Sequence, residues 1–535
     1  MSAQPVQSVV PAAAASDRPS AKAVAVIDMG ANSIRMAIGQ IDEAGRVHKL
    51  DTLSQAVGLG KDSFGKGFIE RATVEQCVGV LKNYRQILSE YQITEPDQVR
   101  VVATSAVREA ANRLSFLSRV YVATGFQIDP MDYSEVNRTT YLGIQPLLAT
   151  EPRLADCQSL VIEVGSGTTV VLLLQQQDVN YAHTFSMGSL RLRKTLESYD
   201  APATRFRSIM EDHICKVVEQ VGAQVAAEQA LELVALGGDI RFAAAQLNPA
   251  GTASPLVEIP VDRLEKFTNQ ILGLSVDDLV RQHHLTFPDA ETVGPALLTY
   301  THLARALQLE HLLVSNVNLR DGLLQQMAGP DAWSEEFKQQ IIRSALDMAR
   351  RFHFDEPHGL LVANLSLRLF RGLQDEHQLG PRYEMLLYLA ALLHDVGYAV
   401  STQSHHKHSM YLIQHSELFG ISQKDLLLIA LVARYHRRAL PRPIHEGYSS
   451  LAWRDRMTVT KLAALLRVAD ALDRSNHQRI QDITCVLEEG RVVISAQSAD
   501  DLSLEQLALQ QKCSLFQEVF GMPIVLRRRS PAIEA

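Results

Sequence analysis

Residues 23–38 read AVAVIDMGANSIRMAI, and residues 159–174 read SLVIEVGSGTTVVLLL. Each is an apolar run, a glycine-bearing turn and a second apolar run, the pattern of a β-hairpin. Setting Gly30 against Gly165, 135 residues on, puts Asp28 opposite Glu163 and Ser33 opposite Thr168. One glycine hairpin is commonplace. Two of them, each with an acid two residues before the glycine, point to two similar α/β lobes facing each other across a cleft. Their turns offer an anion Gly30, Asn32 and Ser33 from one side and Gly165, Gly167 and Thr168 from the other.

Further along, ATSAVREAANR (103–113) closes a strand at Thr104 and Ser105 and carries Arg108 early in the next helix. A helix N-terminus beside a guanidinium suits phosphate. In LVALGGDIRF (233–242), Gly237 and Gly238 allow a ligand to approach the backbone closely. The Gly-Pro-Asp stretch AGPDAWSEEF (328–337) marks a domain boundary. Beyond it the apolar spacing is helical, as in YEMLLYLAALLHDVG (383–397) and KLAALLRVADALDR (461–474). The last stretch reads as a small strand–helix–strand cap. The expected divisions are a disordered leader at 1–22, lobes at 23–148 and 149–329, a helical domain at 330–480 and a cap at 481–535.

The whole chain has 535 residues, 46% apolar and 21% charged, enough for three or four packed domains and too apolar for a disordered protein. With 52 basic and 60 acidic residues the net charge is −8, which argues against a duplex nucleic-acid partner while leaving room for a local basic pocket. No run of 18 apolar residues occurs, so no membrane partner is expected. Five scattered cysteines without a CxxC pair fit a reducing cytoplasm.

Eleven of the 18 histidines lie between His353 and His477. Metal chemistry on a helical scaffold needs imidazoles and carboxylates converging from several helices. The ordered candidates are His358, His394, Asp395, His408, His436 and Asp470. His405 and His406, in a polar stretch, are expected to stay outside the set. Arg434, Arg437, Arg438 and Arg442 would give His436 a basic rim.

With these residues in view, the chain resembles the long form of the exopolyphosphatase/guanosine pentaphosphate phosphohydrolase family. AVIDMGANSIRMAI resembles its first phosphate motif, VGSGTTVVLL its second and ATSAVREAAN its substrate-loop motif. FSMGSLRL, DAETVGPALL, NLRDGLL and the LLHDVG…HHKHSMYLI…VARYHRR run follow in order. The resemblance implies two actin/sugar-kinase/Hsp70-like (ribonuclease H-like) lobes, then an all-α HD-like domain and a small C-terminal α/β domain. It implies Mg²⁺-assisted hydrolysis of a terminal phosphoanhydride, on polyphosphate or a guanosine alarmone, by a homodimer. Asp28 would bind Mg²⁺. Asn32, Ser33, Arg35, Ser105, Gly165, Gly167, Thr168, Gly237 and Gly238 would cradle phosphate, with Arg108 and either Glu135 or Glu163 acting in catalysis.

The chain departs from that family at two acids. The motif D-x-G-G-G-S-T-E has Glu163, Ser166 and Val170 at its first, middle-glycine and last positions, and the general-base position of E-E-A-R is Val136. Valine neither takes a proton nor binds Mg²⁺. The helical ligand set, by contrast, is complete. A competing expectation is therefore an HD-type hydrolase with a divalent metal pair, the lobes serving as a nucleotide or polyphosphate sensor; a third is a regulator without catalysis.

Overall fold

The computed structural model describes residues 22–155, 157–176, 178–198, 205–225, 230–249, 254–329, 335–497 and 501–529. The expected leader, but for Lys22, and part of the 328–337 boundary lie outside them. Strands β1 (Lys22–Met29), β2 (Ser33–Ile41), β3 (Val47–Ala56), β4 (Val99–Ala103) and β5 (Ile128–Pro130) form one sheet, ordered β3-β2-β1-β4-β5. β1 runs antiparallel to β2 and parallel to β4. As a central strand it is buried from Val24 to Met29, which its unbroken apolar run requires.

The second sheet uses β6 (Gln158–Val164), β7 (Thr169–Gln175), β8 (Asp178–Phe185), β9 (Leu231–Leu236), β10 (Leu256–Pro260) and β11 (His311–Ser315), ordered β10-β11-β9-β6-β7-β8. Here β6 pairs antiparallel with β7 and parallel with β9, repeating the pairing of β1. The turns match as well: Gly30 N donates to Ser33 O at 3.0 Å and Gly165 N to Thr168 O at 2.9 Å. Cross-strand register places Arg35 opposite Asp28, and Val170 opposite Glu163.

Two helices join the lobes. Tyr133–Thr150 and Leu319–Ala328 cross so closely that a Cβ on Gly322 would lie 1.9 Å from Thr139 O. Only glycine fits there, and it holds the C-terminal helix of the second lobe against the first. Six longer helices then form the helical domain. Pro381–Leu393 is buried throughout from Met385 to Leu393, as befits its centre. The rings of Phe337, Phe419 and Tyr141, and a 2.6 Å hydrogen bond from Gln423 N to Asp132 Oδ2, fasten this domain to the lobes. The chain closes with β12 (Ile483–Glu488), β13 (Arg491–Gln497) and β14 (Ile524–Arg529), while the Ser503–Lys512 helix packs on Trp453–Leu472. Among the described residues no helix is long and apolar enough to cross a membrane.

Candidate functional site

The two glycine turns meet across a cavity of about 310 Å³ between the lobes. Asp28, Gly30, Asn32, Ser33, Arg35, Ser105, Arg108, Glu163, Gly165, Gly167, Thr168, Gly237 and Gly238 all line it. Local structure explains how. Gly237 adopts φ +113°, open only to glycine, and turns β9 into the helix Gly238–Leu247. The Gly165–Thr168 turn is backed by Gly188, on which a Cβ would lie 2.5 Å from Gly167 N, and is tied by Arg191 Nε donating to Gly167 O at 2.7 Å. Arg108 donates to Met131 O at 2.6 Å and lies 4.1 Å over the Tyr133 ring. Its buried Nη2 makes no hydrogen bond and is loosely ion-paired with Glu109 Oε1 at 3.5 Å, so an anion in the cavity would compete with that carboxylate.

Glu135 is not in the cavity. Asp132 caps the Tyr133–Thr150 helix, and Glu135 completes a capping box by accepting from Asp132 N at 2.8 Å. Val136 and Val170 line the cavity in its stead. Its acids are Asp28, Glu163, Asp239 and Asp289. Asp28 Oδ2 accepts from Arg320 at 3.3 Å, while its buried Oδ1 has no hydrogen-bond partner. That orphaned oxygen fits a hard cation. Burial raises the Glu163 carboxyl above its usual range, opposed by Arg241 and reinforced by Asp28. Burial and the neighbouring Asp289 push Asp239 up to about 7, and Thr292 Oγ1 donates to it at 3.2 Å. Sequence reasoning passed over Arg320 and Asp239; their signal was position, inside NLRDGLL and directly after the paired glycines.

A second constellation lies in the helical domain. Asp395, His405 and His436 converge in one group, and His358, His394 and Asp470 in another. His408 belongs to neither, and His405, expected outside, takes its place. Three residues along a helix is a shift of about 4.5 Å, too far for one ligand to replace the other. His405 is held where Gly397 packs: a Cβ there would lie 2.2 Å from His405 O.

Each imidazole commits its Nδ1 elsewhere. His358 pairs with Asp473 Oδ2 at 2.7 Å, His394 with Ala391 O at 2.6 Å, His436 with Ala433 O at 2.6 Å and His405 with Thr402 O at 3.3 Å. Carbonyl partners keep the proton on Nδ1 and leave the Nε2 lone pair facing inward, the arrangement of metal-ligating histidines. His394 Nε2 and Asp395 Oδ1 are buried without a hydrogen-bond partner. Burial brings His436 down to about 3, so it stays neutral, as a ligand must.

A Ppx/GppA phosphatase family model matches residues 37–330, and a model of Ppx/GppA phosphatase domain III matches residues 342–517. The chain belongs to the Ppx/GppA phosphatase family. It is 23% identical over 517 residues to the guanosine-5'-triphosphate,3'-diphosphate pyrophosphatase of Photobacterium profundum, covering 94% of this chain and 97% of that one. The Vibrio cholerae protein of the same name is 23% identical over 455 residues, covering 83% and 86%. The crystal structure of an exopolyphosphatase from Cytophaga hutchinsonii aligns with a TM-score of 0.51 at 21% identity, over 57% of this chain and 98% of that chain.

Proposed function

We propose that this protein is a phosphohydrolase acting on the terminal phosphoanhydride of polyphosphate or guanosine pentaphosphate in the interlobe cleft. The observation that carries the reading is the convergence of both glycine turns and the Arg108 guanidinium on one cavity. A terminal phosphate between the turns would accept from Asn32, Ser33, Thr168 and Arg108. Asp28 would hold Mg²⁺, which when bound neutralises phosphate charge. With Glu135 turned into its capping box, Glu163 is, of those two glutamates, the one placed in the cavity to take the proton of attacking water. Relatives named as guanosine-5'-triphosphate,3'-diphosphate pyrophosphatases support the substrate class.

A second reading is favoured by one measurement. Asp395 Oδ1, His405 Nε2 and His436 Nε2 are 3.2, 3.3 and 3.6 Å apart. Ligand atoms about 2.0–2.1 Å from a tetrahedral ion lie roughly 3.3 Å apart, so this triangle fits one face of a coordination shell. The helical domain would then be HD-like and hydrolyse a phosphoester with a divalent metal pair, the lobes sensing nucleotide or polyphosphate. Phosphate release from both substrates decides between the readings. Glu163→Gln and Arg108→Ala lower turnover about 10²–10⁴-fold if the cleft is catalytic, whereas Asp395→Ala alone abolishes it if the helical centre is. Binding without turnover in the wild type identifies a regulator.

A further inference from the structure

The two halves of the helical centre differ in a way that rests on, and extends, the metal reading. The Asp395, His405 and His436 triangle already has the edges of a coordination shell. The other half is wider: Asp470 Oδ1 stands 4.0 Å from His358 Nε2 and 3.9 Å from His394 Nε2. The remaining oxygen of Asp470, Oδ2, is engaged by the ammonium of Lys512.

Lys512 does not come from the histidine-bearing helices. It ends the Ser503–Lys512 helix, which packs along the helix carrying Asp470. Arg438 Nη2 donates to Gln511 Oε1 at 3.3 Å, fixing this helix end to the segment just after His436. The Lys512 side chain is 15% exposed and that of Asp470 9%, so the pair is an interior contact with little solvent screening. Lysine is a compact point charge on a flexible stem, able to hold a carboxylate and to swing away from it.

We propose that Lys512 is a tethered cation of the second half-site, occupying Asp470 in competition with a divalent ion. The two half-sites then fill unequally. The first ion enters at Asp395, His405 and His436, and the second must draw Asp470 Oδ1 about half an ångström towards His358 and His394 against the hold of the ammonium on Oδ2. The terminal domain thereby sets how readily the centre becomes binuclear.

Titration calorimetry with Mn²⁺ on chelator-stripped full-length protein tests this, with paramagnetic resonance reporting coupling between paired ions. Wild type is expected to bind one ion tightly and a second at least tenfold more weakly. Lys512→Met is expected to tighten the second step at least tenfold and to show the coupled-pair signal at lower Mn²⁺, leaving the first step unchanged. Lys512→Arg retains a cation and should stay close to wild type; thermal melts confirm that each variant is folded. An unchanged second step in Lys512→Met overturns the proposal while leaving the metal reading intact. Absence of Mn²⁺ binding in wild type and Lys512→Met alike overturns both.

Discussion

The interlobe cleft and the helical centre solve the problem of holding charge in opposite ways. In the cleft, guanidiniums and carboxylates sit side by side, as with Arg320 and Asp28, and the anion site is built largely by backbone turns that glycine permits. In the helical centre four imidazoles and two carboxylates face one another, and Lys512 is the ammonium that meets them. A cleft of mixed sign, walled in part by Val136 and Val170, offers donors to an anion beside carboxylates that can take a cation. A cluster of converging lone pairs has no stable alternative partner, because each unsatisfied buried acceptor costs roughly 1–3 kcal/mol.

The largest effect that could break this comparison is expected from Asp395→Ala. Removing the carboxylate shared by His394, His405 and His436 should lower divalent-metal affinity at least 100-fold, measured by calorimetry, with phosphate-chain binding in the cleft unchanged. Loss of binding at both sites would mean that the two regions are not separate.

Next in size is Arg108→Ala. A charge-assisted hydrogen bond contributes about 1.5–3 kcal/mol, so affinity for a phosphate chain should fall roughly 10–100-fold in fluorescence titrations. The metal stoichiometry should not move.

Gly397→Ala tests whether packing positions His405. The added methyl would also stand 2.4 Å from Ser409 N, so the helix His405–Gln414 must shift. Overpacking of this kind costs about 1–3 kcal/mol. A lowered Tm should accompany roughly tenfold weaker metal binding.

The smallest expected effect concerns pH. Asp239 is pushed up to about 7, so it is neutral below that pH and gains negative charge above it. A negative charge added to the cleft opposes an anionic ligand, so phosphate-chain affinity should fall several-fold between pH 6 and 8. Asp239→Asn should flatten that part of the profile, and an unchanged slope would place Asp239 outside the ligand's field.

Some of the site was legible because its causes are local. The glycine hairpins, Arg108 after Ser105 and the turn at Gly237 follow from turn chemistry and short-range pattern, and all reach one cavity. The fate of Glu135 was legible too, since Asp132 and Glu135 have the spacing of a capping box. Family likeness pointed to catalysis there, while helix capping decided the geometry. The choice of His405 over His408 was not legible, because both belong to one polar stretch and their helix is seated by contacts distant in pattern, with Gly397 packed on His405 O and Ser409 N.

By itself, then, the amino-acid order determined the two-lobed repeat, the helical domain and the residue types available for phosphate and metal. Tertiary structure alone decided which of those residues meet. It brought Arg320 to Asp28 across 292 positions and carried Lys512 to Asp470 across 42. The physical reason is range. Turns and caps are settled by neighbours a few residues apart, whereas a coordination shell is settled to fractions of an ångström by helices far apart in the chain.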